Sequence, residues 1–167
     1  MIFATVGTQV PFDRMINILD KWSINQKVNN CFAQVGEQGM HPKSIDYSAS
    51  LTPLQFAKHI AKCKVIVSHA GMGTILTALQ HQKPIIVMPR LAKYGEHRND
   101  HQLATVSNLE NRAGIHVARD EAELCGLLDQ LAFLTAGSDP SSAAAPDLLS
   151  AISSFISADG AKGLRYV

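Results

Sequence analysis

Long apolar runs are missing from this sequence: no stretch approaches the roughly 18 residues that mark a membrane span. The opening Met1 to Gly7 carries no basic flank and is too short for a secretory leader. A soluble chain is therefore expected, free to dock on a membrane-bound partner. Excess charge is missing as well. A formal net charge of +1 provides no broad basic face for nucleic acid, although individual phosphate contacts stay open. Cysteine is sparse: Cys31, Cys63 and Cys125 are widely spaced, odd in number and without a C-x-x-C pair. That pattern favours reduced core thiols in a cytosolic protein. No internal repeat is detectable.

Several nucleotide and catalytic signatures are also absent. A dinucleotide fold would place G-x-G-x-x-G after the first strand, where this chain has Gly7-Thr8-Gln9-Val10-Pro11. There is no G-x-x-x-x-G-K-[ST] of a P-loop, no H-E-x-x-H and no G-x-S-x-G elbow. His97 and His101 are four apart, but surface or hydrogen-bonding roles fit them better than a metal, and no metal site is assigned. Ser68 adjoins His69, yet neighbours on a strand point to opposite faces, so the two are not expected to act on one another.

What the chain does contain is one domain's worth of alternating strands and helices. Strands are predicted over Ile2 to Val6, Cys31 to Val35, Ser44 to Ser48, Val65 to Ser68, Pro84 to Met88 and Ile115 to Ala118. The intervening helices carry Phe12, Met15, Ile16, Leu19 and Trp22; Leu54, Ala57, Ile60 and Ala61 after a Thr52-Pro53 cap; Ile75, Leu76 and Leu79; Leu103, Val106 and Leu109 within Asn99 to Asn111; and Leu124, Leu127, Leu128 and Leu131 after Asp120. This alternation implies an α/β fold with a doubly wound, mainly parallel six-stranded sheet. Ala, Gly, Ser and Pro dominate 136–146, read as a linker between a domain over 1–135 and an amphipathic helix and tail over 147–167.

The segment from Lys64 to Gln102 organises the whole. It reads as buried strand, glycine turn, helix, buried strand and polar loop. Gly71 and Gly73 open a helix whose free N–H groups suit an anion, although glycine also serves tight turns and packing. Ligands bind above the carboxyl ends of strands in such sheets. Gly7-Thr8-Gln9, the Gly71 to Thr74 turn and Asp100-His101-Gln102 thus share one edge, suited to a phosphorylated sugar.

The stretches H-A-G-M-G-T-I-L-T-A-L, K-P-I-I-V-M-P-R and E-H-R-N-D-H-Q resemble the C-terminal, donor-binding half of MurG-like glycosyltransferases of the GT-B fold, whose sheet is Rossmann-like. V-G-T-Q-V-P-F-D-R-M further resembles the soluble subunit of split members, including those of the PssE type in exopolysaccharide synthesis. The resemblance covers Met1 to about Ala118. It implies that Gly7, Thr8 and Gln9 lie on the phosphate side of UDP and that Tyr47 and Ser48 lie near the uracil. It also implies that Ser68, His69, Ala70, Gly71, Met72, Gly73 and Thr74 sit under the diphosphate, and that Asp100, His101 and Gln102 sit at the donor sugar. Asp100 could equally cap a helix.

The sequence departs from that family at Thr77, where a ribose-binding glutamate is usual. A hydroxyl cannot replace a bidentate carboxylate acceptor, so Glu96 is considered as a substitute, against its being a solvated loop charge. The resemblance further implies inverting, metal-independent transfer from a UDP-sugar to a polyprenyl-diphosphate-linked acceptor, with no cofactor. A membrane-anchored acceptor-binding subunit would recruit the chain to the cytoplasmic face, docking on Leu148, Leu149, Ile152, Phe155 and Ile156. The general base would belong to that partner, so no catalytic base is assigned here. Arg90 and Arg98 could pair with a uronic-acid carboxylate, favouring UDP-glucuronic acid over UDP-N-acetylglucosamine, or could bind diphosphate or protein carboxylates. The alternative function is a non-catalytic nucleotide-sugar sensor or assembly module. A hydrolase or metal enzyme built on the histidines has little to support it.

Overall fold

The computed structural model describes residues 1–139. The expected docking positions Leu148, Leu149, Ile152, Phe155 and Ile156, and most of the expected linker, lie outside the described residues. Three short apolar strands, β1 (Ile2–Thr5), β4 (Val65–His69) and β5 (Ile85–Met88), are buried along almost their entire length. Strands of that kind need cover on both faces. They find it in the middle of a six-stranded sheet of order β3-β2-β1-β4-β5-β6, flanked by β2 (Cys31–Gln34), β3 (Asp46–Ser48) and β6 (Ile115–Val117). Every pairing is parallel, so the sheet expected to be mainly parallel is wholly so.

Side-chain alternation along the strands divides the core into two layers. Ile2, Ala4, Val65, Val67, Ile86 and Met88 meet Phe12, Met15, Ile16, Leu19, Trp22, Leu124 and Leu128 from the α1 (Asp13–Gln26) and α5 (Glu121–Asp129) side. Trp22 Nε1 donates to Asp129 Oδ1 at 2.8 Å and ties these helices together. Phe3, Ile66, Ile85 and Val87 pack on the opposite layer with Ile60, Ile75, Leu79, Val106 and Leu109. Those come from α2 (Pro53–Lys62), α3 (Met72–Gln80) and α4 (His101–Leu109).

Two apolar stripes differ from expectation. On α2, Leu54 is 67% exposed and Ala57 and Ala61 are exposed, leaving Ile60 as the buried member of the expected set. The sheet instead receives flat rings: Phe3 meets Phe56 edge-on at 5.4 Å and His59 face-on at 5.2 Å, and Phe32 stacks on His59 at 3.9 Å. The aromatic surface of β1 and β2 suits those rings better than the small or branched side chains of the other register. On α4, Leu103 is 38% exposed because the helix starts at His101, two residues later than expected, and turns Gln102, Thr105, Val106 and Leu109 inward.

Thr52 and Gln55 form a reciprocal capping box on α2. All three cysteines are free thiols, and burial raises each pKa, that of Cys31 to about 11. They are therefore packing residues with little thiolate character. At the start of the expected linker, Gly137 is buried against the Gly114 turn, where a Cβ on Gly114 would lie 2.1 Å from the Gly137 nitrogen. Among the described residues, no helix is long and apolar enough to cross a membrane.

Candidate functional site

The strand order reverses between β1 and β4. Connections leaving the carboxyl ends of these strands diverge, and a crevice opens between them. A cavity of ≈ 800 Å³ occupies this place, lined by Gly7, Thr8, Gln9, His69 to Thr74, Thr77, Arg90, His101 and Gln102 among others. The three sequence segments expected to share one edge therefore do meet. Tyr47, Ser48, Ser68, Glu96, Arg98 and Asp100 do not line this cavity.

Two glycine turns form one wall. Gly7 has φ +77°, a left-handed conformation that favours glycine. A Cβ there would lie 2.8 Å from His69 Cε1, and one on Gly71 would lie 2.2 Å from His69 Nε2. The imidazole of His69 thus fills the space that the two glycines leave open. Its pKa falls to about 4, first through burial and then through the Arg90 charge and His97, with the Thr5 backbone opposing. His69 is consequently a neutral hydrogen-bonding group near pH 7. Ser68 Oγ lies 3.3 Å from His69 Nδ1, contrary to the expectation that the pair cannot interact. His69 is the last residue of β4, and its ring comes within reach of the Ser68 hydroxyl despite the alternation along the strand. Ser68 is fully buried and can act only by orienting the ring.

Gly71 is also the N-cap of α3 and supplies no side-chain cap. The first-turn N–H groups of a helix have no acceptor within it, and this is the positive end of the helix dipole. Thr77 projects from the same helix toward the cavity, its Oγ1 donating to the Gly73 carbonyl at 2.8 Å.

The opposite wall is assembled by side chains. Gln102, 3% exposed, accepts from Ala70 N at 3.2 Å and Arg90 N at 3.0 Å, stapling the segments after β4 and β5. Its carbonyl is thereby occupied and its amide NH₂ is the group left for a ligand. Arg90 was expected beside the sugar. It is instead 3% exposed, donates to the Val6 and Val10 carbonyls, and lies over the Phe12 ring at 5.4 Å. Its buried Nε has no hydrogen-bond partner. Such an arginine holds the β1 turn and lends positive potential; it is not a free fork for a carboxylate.

Glu96 is neither a solvated charge nor an open acceptor. Arg14 grips it through Nε at 2.6 Å and Nη2 at 2.8 Å, and Leu91 N donates to it at 2.9 Å. Asp100 precedes α4 without capping it; its Oδ1 accepts from Ala92 N at 2.7 Å and holds the loop's 3₁₀ turn. Tyr47 stacks on His41 at 5.0 Å, and Ser48 donates to Ser50 O at 2.7 Å. A second cavity, ≈ 610 Å³, adjoins the first and is lined by Gln9, Val10, Gly95, Glu96, His97 and Arg98. Gln9 and His97 belong to both.

Sequence reasoning missed Thr5, Gln34, Leu51, Phe56 and His97 as lining residues. For Thr5 and Gln34 a signal existed: both are polar ends of buried strands, paired across the sheet. Thr5 Oγ1 donates to Gln34 Oε1 at 2.5 Å, and Gln34 Nε2 donates to Gly7 O at 2.8 Å, which pins the glycine turn. Among the described residues, no group of three or more His, Cys, Asp or Glu is placed to hold a metal ion.

Residues 1–146 match the glycosyltransferase family 28 C-terminal domain. No curated protein matches the chain. Among solved structures, it is similar to the glycotransferase of kitacinnamycin, with TM-score 0.51 and 18% identity over 95% of this chain and 39% of that one. It is similar to ALG13, with TM-score 0.52 and 16% identity over 84% of this chain and 91% of that one. CalG4, the calicheamicin glycosyltransferase, gives TM-score 0.51 and 14% identity over 92% of this chain and 43% of that one. At these identities the likeness shows a shared fold. The chain spans less than half the length of the kitacinnamycin and calicheamicin proteins. With the match running from β1 through the whole described sheet, the chain belongs to the family of glycosyltransferase family 28 C-terminal domains.

Proposed function

We propose that this chain is the UDP-sugar donor-binding subunit of a two-chain, inverting glycosyltransferase of the PssE type, acting on a polyprenyl-diphosphate-linked acceptor in polysaccharide synthesis. One observation carries the reading. The uncapped N-terminus of α3, which begins at the Gly71 turn, opens with the Gly7 turn into a cavity at the strand switch point, beside neutral His69 and buried Arg90. Backbone N–H groups and a cationic background suit a diphosphate. Leu51, Pro53 and Phe56 give the same cavity an apolar end that suits a planar base. Hydroxyls of the sugar would meet His101 and the Gln102 amide.

The described residues hold one doubly wound sheet, so an acceptor-binding half has to come from elsewhere. In this reading a membrane-anchored partner supplies it together with the general base, and recruits the chain to the cytoplasmic membrane face. No cofactor or metal is needed, since leaving-group charge falls on helix N–H groups and Arg90. With Arg90 engaged by backbone, Arg98 at the second cavity is the guanidinium left to read an acidic sugar.

Titration calorimetry with UDP-glucose, UDP-N-acetylglucosamine and UDP-glucuronic acid tests the pocket, and sugar transfer by the chain with and without its partner tests the two-chain enzyme. Binding to none of the three would overturn the donor reading. Binding without transfer under any pairing would favour a non-catalytic nucleotide-sugar sensor, a reading to which Thr77 lends weight. A preference for UDP-glucuronic acid that disappears in Arg98→Ala would support the acidic sugar; equal use of neutral donors would count against it.

A further inference from the structure

His97 lies within the E-H-R-N-D-H-Q stretch, but the proposed function gives it no role. It sits in the wall shared by the two cavities. Its Nδ1 is buried without a hydrogen-bond partner, and its ring meets His101 edge-on at a centroid distance of 4.4 Å. A buried imidazole nitrogen without a partner is costly unless a ligand completes it. The surrounding groups explain why the ring is uncharged when the site is empty. Burial lowers its pKa, and His101 on α4, Arg90 after β5 and the adjoining Arg98 add repulsion, while Asn99 opposes. His69 at the end of β4 faces it as well, and Glu96, the neighbouring carboxylate, is already held by Arg14.

We propose that His97 binds the anionic diphosphate of the donor as an imidazolium, so that nucleotide-sugar binding takes up a proton. This rests on the donor reading above and extends it. A diphosphate over the α3 N-terminus places negative charge among Arg90, His69, His97 and His101, reversing the sign of the local potential. Opposite charge favours the protonated ring; His69 starts too far below neutrality, at about 4, to follow, whereas His97 lies in the wall of both cavities with its Nδ1 unpartnered. The proton comes from solvent, with no bond to substrate made or broken. Binding then tightens as the pH falls from about 8 toward 6, approaching about tenfold per pH unit where the free ring is neutral and the bound ring charged.

The test is calorimetry of the full chain with UDP-glucose, a diphosphate diester that does not itself titrate near neutrality, in buffers of different ionisation enthalpy at pH 7. The expected result is uptake approaching one proton, abolished in His97→Gln, whose binding is weaker and flat with pH, and retained in His81→Gln, an exposed histidine that lines neither cavity. Melting curves of both variants in the absence of ligand establish that they are folded. Should His97→Gln not fold, histidine ¹H–¹⁵N spectra of the unsubstituted protein read the same proton: His97 shifts to the imidazolium pattern on adding UDP-glucose. Buffer-independent heat with normal binding, uptake that survives His97→Gln, or an unshifted His97 resonance would overturn this assignment while leaving the donor reading intact. Absence of binding to any nucleotide sugar would overturn both.

Discussion

The two walls of the crevice are built on different principles. The wall at β1 and β4 is made of backbone: Gly7 in a left-handed conformation, Gly71 at an uncapped helix start, and one imidazole filling the gap between them. The wall after β5 is held by side chains: Gln102 bridging two loops, Arg90 on the Val6 and Val10 carbonyls, and, supporting the loop outside the cavity lining, the Arg14–Glu96 ion pair and Asp100 on Ala92 N. The first can fail abruptly, because a methyl group has nowhere to go. The second should fail by degrees, because each contact is one of several and its charges reach solvent in part.

Gly71→Ala is the largest break in the backbone wall. Its Cβ would fall 2.2 Å from His69 Nε2, and a ring packed against both turns has little room to move. UDP-glucose affinity should drop more than about 100-fold, with a stability loss of about 1–3 kcal/mol in urea melts. Unchanged affinity would mean that His69 swings away freely.

Acid tests the same wall without a substitution. The folded pKa of His69, about 4, lies below its usual 6.5, so between these values the unfolded chain binds the extra proton. Stability is full above about pH 6.5 and falls toward pH 4, by about 3 kcal/mol from this residue. His59 and His97 are shifted in the same direction and add to the loss. Urea titrations of the chain and of His69→Gln across this range should show the slope flattened in the variant; equal slopes would place the effect elsewhere.

On the side-chain wall, Glu96→Ala leaves Arg14 and Leu91 N without their shared acceptor. A loss of about 1–2 kcal/mol is expected for a pair still partly open to water, with only a few-fold weaker UDP-glucose binding. A collapse of binding equal to that of Gly71→Ala would erase the contrast between the walls. Thr77→Glu is the smallest change and a gain. It places a carboxylate on the cavity face of α3, and roughly tenfold tighter UDP-glucose binding, about 1.4 kcal/mol, should follow in calorimetry.

The elements that were legible in advance are those whose signal is local. Short β-branched runs, the Thr52 cap and the Phe12 to Trp22 stripe each reveal an element through neighbours in the chain. The failures have one cause. Leu54 looked like a core residue until the aromatic surface of Phe3 and Phe32 drew Phe56 and His59 inward. Arg90 and Glu96 looked like ligand groups until partners 84 and 82 residues away, Val6 and Arg14, claimed them.

The sequence by itself determined that this is a parallel α/β chain with glycine turns at the carboxyl ends of its central strands, because periodicity and turn chemistry act over a few residues. Only the tertiary structure decided which polar side chains face the crevice and which are bound to the protein. That choice depends on contacts between β1, β4 and the loop after β5, which the chain brings together only when the sheet has formed.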